Sequence, residues 1–282
     1  IFITFCALSE AKGMDIKMNK KINIASNQEP YTLEIKSKLI SMLNQNGFIC
    51  FEGFNPDAEL NITLGGDGAF LRAVRDSNFS HIPFVGINTG TLGFYPEITP
   101  ENMDAFIENY KNRNYAISEV NLIQSEICNE QTEQLYAVND IVIKRKDMKT
   151  MHLDVFIDAN YLQTISGDGI IISSPMGSSA YNLSAGGSLV YPSLKTLQIT
   201  PLSPIISNAY RCLNCSIIVP PEFEVIVLPE QKDDYVITFL ADGVPFELSD
   251  VESASFRTSS KSIQRLTMGT YNYWNVIKEK FL

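Results

Sequence analysis

The chain has 282 residues, of which 45% are hydrophobic and 19% are charged, so it can bury a sizeable core and extensive disorder is excluded. Its 32 acidic residues outnumber the 22 basic ones, and the formal net charge is -10. This charge repels nucleic-acid backbones and anionic lipids, and no apolar run approaches the ~18 residues of a membrane-spanning helix, so we expect neither a nucleic-acid nor a membrane partner.

We exclude residues 1–17 from the predicted fold. Residues 1–5 are apolar, but they lack the flanking signals of a targeting segment. We interpret 1–17 as an extension of the folded protein, and a short membrane or partner anchor is the alternative.

Strands and helices alternate between residues 18 and 118. Leu39 and Leu43 belong to a set of apolar residues at helical spacing, and Thr99 followed by Pro100 marks a further helix start. This alternation predicts an α/β domain with a largely parallel sheet over 18–118. The predicted strands are 21–26, 58–64 and 81–87, and the predicted helices include 33–43 and 69–76.

Short β-branched segments without intervening helices follow between residues 119 and 255. They predict a β-rich, β-sandwich-like domain with mainly antiparallel strands. One helix is predicted inside this domain, over the Ser-, Gly- and Ala-rich residues 178–189. The predicted strands are 136–143, 152–157, 169–173, 215–219 and 224–228.

The last segment, 256–282, is predicted to be a tail that ends in a helix. Trp274, Ile277 and Phe281 lie on one face of that helix. We expect this apolar face to pack back on the first domain.

The cysteines and histidines point to no zinc site. The 5 cysteines are dispersed and odd in number, which favours free thiols and a reducing, cytoplasmic compartment over a disulfide framework. Cys212 and Cys215 have Cys-x-x-Cys spacing, but no second pair completes a zinc site, so we interpret them as core or interface residues. His81 and His152 each begin an apolar strand, and no catalytic role is predicted for either.

The strongest functional signal is the loop 65–68, which has the sequence Gly-Gly-Asp-Gly. It lies between a predicted strand and a predicted helix, where glycines let the backbone approach an anion and helix N–H groups favour negative charge. Asp67 would repel a phosphate there unless it holds Mg²⁺ or accepts a proton from an attacking hydroxyl, and both roles belong to phosphoryl transfer. The alternative is a tight turn with a solvated Asp67.

A second glycine-rich loop follows the next predicted strand, within residues 85–95. It carries an Asn amide and two Thr hydroxyls, and we expect it to converge with the first loop at one edge of the sheet. Phe94 or Tyr95 could stack on a base, and packing in the core is the alternative.

Two segments of the β-rich domain suit a sugar–phosphate ligand. Residues 167–187 combine a strand with a loop rich in hydroxyls and small residues, although such runs also occur in plain loops. Asn139 and Asp140 place an amide beside a carboxylate, and such a pair can read a ribose diol or a base edge. The three cations 144–146 could attract an anionic substrate, and an exposed strand end is the alternative.

Together these segments closely resemble the NAD kinase family. The Gly-Gly-Asp-Gly loop also occurs in diacylglycerol and sphingosine lipid kinases and, more distantly, in phosphofructokinases. Its combination with 87–94, Asn139, Asp140 and 167–187 singles out the NAD kinases, and the resemblance covers most of the chain from about residue 20. It implies phosphorylation of the 2′-hydroxyl on the adenosine ribose of NAD to make NADP. ATP or polyphosphate would be the donor, accompanied by a divalent cation, usually Mg²⁺.

The resemblance also implies roles for individual residues. Asp67 would accept the proton of the 2′-hydroxyl, and Gly65, Gly66 and Gly68 would form the phosphate-donor loop, with Gly68 beside the substrate. Homodimers or homotetramers are usual in the family. The implied NAD-binding residues are Asp67, Gly68, Phe94, Tyr95, Asn139, Asp140, Asp168, Ser179, Ala180, Tyr181, Asn182, Leu183 and Ser184.

Four residues depart from the family pattern. Ala69 replaces a common Thr, Met176 stands where Thr or Ser is usual, and Asp140 replaces a more frequent Glu. Ser166 stands where many relatives carry Arg. None of these changes alters Asp67, so they bear on donor preference and affinity rather than on the reaction.

Two other functions compete with an NAD kinase. A lipid kinase with the same glycine-rich loop would need an apolar substrate cleft or a basic surface for membranes, and the sequence of this acidic chain indicates neither. A non-catalytic NAD-binding regulator would gain nothing from a base opposite phosphate, so Asp67 argues against it. Phosphorylation of lipid vesicles and NAD binding without turnover are the observations that would favour these alternatives.

Overall fold

The computed structural model describes residues 20–208, 210–230, 235–269 and 272–282, and the expected extension over 1–17 lies outside them. The described helices are α1 (Pro30–Gln45), α2 (Asp67–Asp76), α3 (Met103–Lys111), α4 (Tyr181–Ser184) and α5 (Tyr273–Phe281). The described strands are β1 (Lys21–Ser26), β2 (Ile49–Glu52), β3 (Leu60–Leu64), β4 (Phe84–Ile87), β5 (Pro96–Ile98), β6 (Ala116–Cys128), β7 (Thr132–Ala137), β8 (Asp140–Arg145), β9 (Met151–Ile157), β10 (Asn160–Gly167), β11 (Gly169–Ser173), β12 (Leu197–Leu202), β13 (Ile217–Val219), β14 (Val225–Pro229), β15 (Ile237–Ala241), β16 (Val244–Leu248) and β17 (Ser253–Thr267).

The first strands build the predicted parallel sheet. β2, β1, β3 and β4 are neighbours in that order, and each pair is parallel. Leu39 of α1 and Phe106 of α3 pack on one core cluster of this sheet, whereas Phe70 of α2 packs with Phe84 in another. β3 and β4 are buried along their whole length, as expected for parallel strands covered by helices. The sequence analysis missed β2, a partly exposed edge strand.

The long strand β17 connects this parallel sheet to the β-rich part of the chain. It pairs in parallel with β4, through Arg265 and Phe84, and antiparallel with β6 and β14. Among the described residues the result is an 11-stranded sheet with the order β10-β9-β14-β17-β4-β3-β1-β2, in which β5 pairs with β4 and β6 pairs with β17 and β7. The parallel and antiparallel regions therefore share one continuous sheet.

A second sheet completes the β-rich part as a sandwich. Its 6 strands have the order β13-β12-β11-β8-β15-β16, and all of its pairs are antiparallel. Ile143 and Phe239 of this sheet share one buried cluster with Val155, Val227 and Phe256 of the larger sheet. The two layers are thus held together by apolar side chains, which confirms the predicted β-sandwich-like domain.

The predicted helix over 178–189 is wrong. The segment contains only a 3-10 turn (Gly177–Ser179) and the single helical turn α4 before the chain becomes irregular. Gly186 has a φ of +89°, which ends the helix, and a Cβ at Gly187 would be 2.2 Å from Asn182 Nδ2. The two glycines therefore allow the chain to turn back tightly, and they do not belong to a continuous, closely packed helix.

The predicted strand 136–143 is two strands, β7 and β8. The chain bends between them because the backbone N–H groups of Val138 and Asn139 donate to the carboxylate of Asp242 rather than to a neighbouring strand. The side chain of a distant turn therefore interrupts a segment that periodicity alone predicts to be continuous.

Helix α5 packs back on the first domain, as predicted. The rings of Phe281 and Phe94 are 6.0 Å apart, and Tyr273 is the buried residue of the helix. Trp274 was predicted to lie on the packed face, but it is 60% exposed. None of the described helices has the length and apolarity needed to cross a membrane.

The contact of β4 with β5 leaves no room for a side chain at Gly86. A Cβ there would lie 2.5 Å from Pro96 Cα, so we expect Gly86→Ala to lower the free energy of unfolding by ~1–3 kcal/mol. Urea unfolding measures this change. Gly90→Ala is the control, since a Cβ at Gly90 meets no described atom within 4 Å. Equal stabilities of the two variants would contradict the close packing at Gly86.

Candidate active site

Asp67 begins helix α2, and Gly65 and Gly66 connect it to the preceding buried strand β3. Gly65, which lies between them, has a φ of +139°, and a Cβ there would be 2.6 Å from Ala69 Cβ, so only glycine fits without strain. Asp67 is the acidic residue of the first turn, where the helix N-terminus favours negative charge. The loop thus has the predicted arrangement of strand, glycines and helix.

The Asp67 carboxylate joins the two predicted glycine-rich loops. Its Oδ1 accepts hydrogen bonds from the backbone N–H groups of Phe94 (2.7 Å) and Tyr95 (2.9 Å). Gly93 permits this approach, because a Cβ there would be 2.6 Å from Oδ1. Lys280 Nζ lies 3.4 Å from Oδ2, and 26% of the Asp67 side chain is exposed. One oxygen is therefore fixed in place while the carboxylate remains accessible to a ligand.

Phe94 and Tyr95 lie in the core, which is the alternative that the sequence analysis gave to stacking on a base. The Tyr95 ring stacks on Phe70 with centroids 4.5 Å apart, and the Phe94 ring contacts Tyr273 and Phe281 of α5. Both rings are almost fully buried. In this arrangement their backbone N–H groups hold Asp67, and their rings fill the space between the loop and its neighbours.

Tyr95 links the Asp67 loop to the β-rich domain. Its hydroxyl donates to Oδ1 of Asn139 over 2.5 Å. Burial raises the pKa of Tyr95 well above its usual value, and the charges of Asp242 and Asp67 raise it further, so the hydroxyl remains a donor. The Asn139 amide oxygen accepts this bond with one of its two lone pairs, so its second lone pair and its NH₂ group can serve a ligand.

Asp242 is a functional-site residue that the sequence analysis missed. Its carboxylate accepts hydrogen bonds from the backbone N–H groups of Val138 (2.8 Å), Asn139 (2.7 Å) and Asp140 (3.4 Å). It therefore fixes the backbone of the predicted pair Asn139 and Asp140. Asp242 precedes Gly243 in the turn between β15 and β16, and an Asp-Gly pair between two strands looks like an ordinary hairpin turn in sequence.

A cavity of about 510 Å³ opens beside these residues. Asn139, Asp140 and Asp242 line it from the β-rich domain, and Leu71 lines it from helix α2. Ala180 and Tyr181 of the predicted NAD-binding segment also line it. The volume is within the range of small-molecule sites, and the lining combines apolar side chains with several charged ones.

Two acidic groups line this cavity, and Asp140 is buried whereas Asp242 is partly buried. Burial, and secondly the charge of Asp242, raise the pKa of the Asp140 carboxyl to about 7. Burial also raises the pKa of Asp242, although the three backbone N–H donors oppose this effect. A carboxyl with a raised pKa in a cavity is typical of functional sites, because a hydrogen-bond donor on a bound ligand can offset the free-energy cost of burying it.

Of the three cations 144–146, Lys144 bonds to another predicted site residue. Its Nζ donates to the Tyr181 hydroxyl over 2.9 Å. Arg145 forms a bidentate pair with Asp147, and Lys146 pairs with Glu247 at 2.6 Å. All three residues line the cavity, and Arg145 and Lys146 are at the same time paired with carboxylates.

The remaining predicted residues of the β-rich domain are not among those that line this cavity. Asn182 is fully buried and its Oδ1 accepts from Thr200 Oγ1 at 2.7 Å, so it holds the segment together. Ser184 is exposed, and Ser179 and Leu183 are half-buried. Asp168 is exposed between β10 and β11, and it is not among the residues that line the cavity of Asn139.

The histidines and cysteines that the structure describes are not among the residues that line this cavity. His152 Nδ1 is 2.7 Å from Ser166 Oγ in a separate polar cavity. Cys212 and Cys215 are free thiols, as are Cys50 and Cys128. Within the described residues, no group of three or more His, Cys, Asp or Glu side chains could hold a metal ion.

Fold and site together define a nucleotide-binding phosphotransferase, with a carboxylate in a glycine-rich loop of a parallel sheet and an adjacent cavity in a β-rich domain. Models for the N-terminal and C-terminal domains of ATP-NAD kinases match residues 10–115 and 138–265. An NAD kinase of Finegoldia magna is 43% identical over 269 residues, which cover 94% of this chain and 98% of that protein. An NAD kinase of Streptococcus gordonii is 32% identical, covering 94% and 96%. The chain belongs to the NAD kinase family.

Solved structures have the same fold. A yeast NADH kinase complexed with NADH has a TM-score of 0.81 at 22% identity, covering 93% of this chain and 87% of that one. An NAD kinase from Archaeoglobus fulgidus in complex with ATP has a TM-score of 0.73 at 19% identity, covering 93% and 97%. The family assignment confirms the resemblance found in the sequence, and it does not favour a lipid kinase or a non-catalytic regulator.

The pKa of Asp140 predicts a change of stability with pH. The folded protein binds the Asp140 proton more tightly than the unfolded chain does, whose carboxyl has a pKa of about 4. The resulting contribution to the free energy of unfolding is fully present below about pH 4 and is lost as the pH rises through about 7. We expect Asp140→Asn to lack this loss. Its thermal midpoint relative to wild type should rise between pH 5 and pH 8, by roughly 2–4 °C for each kcal/mol involved.

Thermal unfolding of both proteins across that pH range measures the effect. Glu133→Gln, at an exposed position of β7, is the control and should follow the wild-type profile. Parallel profiles for wild type and Asp140→Asn would contradict the raised pKa.

Proposed function

We propose that this enzyme transfers a phosphoryl group from ATP, or from polyphosphate, to the 2′-hydroxyl of the adenosine ribose of NAD, which yields NADP. The observation that carries the proposal is the Asp67 carboxylate, which two backbone N–H groups hold by one oxygen at the start of helix α2. A carboxylate oriented in this way, beside a phosphate-binding loop, suits a proton acceptor for an attacking hydroxyl.

In this mechanism Asp67 acts through Oδ2. The ribose hydroxyl gives its proton to Oδ2 as its oxygen bonds to the terminal phosphorus of the donor. The bond from that phosphorus to the leaving oxygen breaks at the same time, and the remainder of the donor leaves as ADP or as a shorter polyphosphate. The hydrogen bonds to Oδ1 keep the carboxylate oriented throughout, which lowers the entropic cost of the step.

The phosphate donor would bind at Gly65, Gly66 and Gly68. A Cβ at Gly66 or Gly68 would meet no described atom within 4 Å, so the space beside these two glycines is open. The N-terminus of the 10-residue helix α2 also supplies N–H groups and a partial positive charge there. Both features support an anion-binding role for this loop of the first domain (18–118).

The β-rich domain (119–255) would bind NAD. Asn139 and Asp140 would contact the ribose, because their backbone is fixed by Asp242 and they line the cavity with Ala180 and Tyr181. By the resemblance we also assign Asp168, Ser179, Asn182, Leu183 and Ser184 to NAD binding, outside the cavity that Asn139 lines. Asn182, Phe94 and Tyr95 are buried, so they would position other residues of the site rather than contact NAD with their side chains.

Mg²⁺ would accompany the donor rather than occupy a cage of protein ligands. The described residues offer no cluster of acidic or imidazole side chains for such a cage, and Mg²⁺ is commonly bound by phosphates and one or two carboxylates. Asp67 is the carboxylate nearest the donor loop. When bound, Mg²⁺ neutralises charge on the phosphates.

We also propose a homodimer or homotetramer in the cytoplasm. The assembly follows the usual state of the family. The compartment is supported by Cys50, Cys128, Cys212 and Cys215, which are free in the described part of the chain, as expected under reducing conditions.

Asp67→Asn tests the reaction. The Asn amide oxygen can still accept from the Phe94 and Tyr95 N–H groups but cannot take a proton, so turnover should fall on the order of 10²- to 10⁴-fold while NAD affinity is kept. NADP formation from NAD with Mg²⁺-ATP measures turnover, and calorimetry measures NAD binding.

Asp76→Asn is the matched control, because this aspartate is the exposed last residue of the same helix. Wild-type turnover in Asp67→Asn would exclude Asp67 as the base. Failure of the wild type to form NADP with either ATP or polyphosphate would overturn the whole proposal.

A further inference from the structure

Helix α5 places a lysine on the active-site carboxylate. Lys280 Nζ lies 3.4 Å from Asp67 Oδ2 and donates to the backbone oxygen of Leu92 at 3.0 Å. The ammonium also lies 4.8 Å from the centroid of the Phe94 ring. These three partners belong to the two glycine-rich loops, although Lys280 is separated from Asp67 by 213 positions in the sequence.

Aromatic packing fixes the helix that carries this lysine. Phe281, next to Lys280, contacts the Phe94 ring at 6.0 Å, and Tyr273 at the start of the helix contacts it at 6.2 Å. Tyr273 and Trp274 also contact Tyr191, at 5.4 and 5.8 Å. The helix is thus anchored at both ends, so the position of Lys280 is set by packing rather than by its ion pair alone.

Phosphoryl transfer needs a positive charge at this place. Negative charge on the transferring group must be stabilised during the reaction, and kinases commonly use a lysine or arginine for this purpose. The glycine-rich loop 65–68 contains no lysine of the P-loop kind. Lys280 brings a cation to the same carboxylate that is proposed to accept the proton.

The geometry leaves Lys280 able to bind a further anion. An ammonium has three donors, and described residues engage two of them, at Asp67 and Leu92. The Lys280 side chain is 31% exposed, so a ligand can reach it. A carboxylate oxygen accepts more than one hydrogen bond, so Asp67 Oδ2 can contact Lys280 and a substrate hydroxyl together.

We infer that Lys280 is a further catalytic residue, which bridges Asp67 and the terminal phosphate of the donor. The inference builds on the proposed function of Asp67. In the reaction the ammonium keeps its proton: it orients Oδ2 and stabilises the charge on the transferring phosphoryl group, while the hydroxyl proton goes to Asp67.

Lys280→Met tests this role, because Met keeps an apolar stem over Phe94 and removes only the charge. We expect kcat to fall roughly 10²-fold, with the KM for NAD and the thermal midpoint close to wild type. Lys280→Arg keeps the charge and should recover a measurable part of kcat. Lys278→Met is the matched control, since Lys278 is an exposed cation on the same helix and should leave kcat unchanged.

Two results would overturn the inference. The first is a wild-type kcat in Lys280→Met. The second is a lower kcat together with a lower thermal midpoint in Lys280→Met, with no recovery of kcat in Lys280→Arg. That pattern would mean that Lys280 only anchors the structure. Asp67→Asn measured in parallel separates the two proposals. Low turnover in Asp67→Asn with normal turnover in Lys280→Met would reject Lys280 alone.

Discussion

The pair of hydrogen bonds between Asp67 Oδ1 and the N–H groups of Phe94 and Tyr95 is the constraint from which the active site follows. These bonds tie the loop after β3 to the loop after β4, so two separate strand ends become one surface. Tyr95 then extends the connection to Asn139 in the β-rich domain. A short chain of hydrogen bonds thus runs from the proposed base to the proposed ribose site, and Lys280 approaches its free oxygen from the opposite end of the sequence.

Asp242 plays the same structural part in the β-rich domain that Asp67 plays in the first. Each carboxylate accepts hydrogen bonds from consecutive backbone N–H groups and so fixes a loop that carries ligand-binding residues. Asp242 does this from a partly buried position, and its charge raises the cost of ionising Asp140. The ionised carboxylates of the site are therefore electrostatically unfavourable, and a hydrogen bond from a bound hydroxyl or ammonium group would stabilise them.

Much of the fold could be predicted because its signals are local. Alternating strands and helices indicated the parallel sheet, and a carboxylate between glycines marked Asp67. The errors occur where a distant contact decides the structure. Asp242 splits a continuous apolar segment into two strands, Gly187 and Asn182 stop the helix expected over 178–189, and Lys280 reaches Asp67 only through the folded chain. None of these contacts leaves a periodic or spacing signal that a single sequence can display.

The continuity of the large sheet restricts how the enzyme can move. β17 pairs with β6 along one edge and with β14 and β4 along the other, and the buried guanidinium of Arg265 in this strand donates to the backbone oxygen of Tyr95 at 3.1 Å. A hinge rotation of the two domains would have to break backbone pairing within one sheet, unlike closure about a flexible linker. Substrate entry and product release therefore fall to peripheral elements. Helix α5 lies outside the sheet, so its exposed residues can adjust without breaking strand pairing, while Tyr273 and Phe281 keep the helix against Phe94.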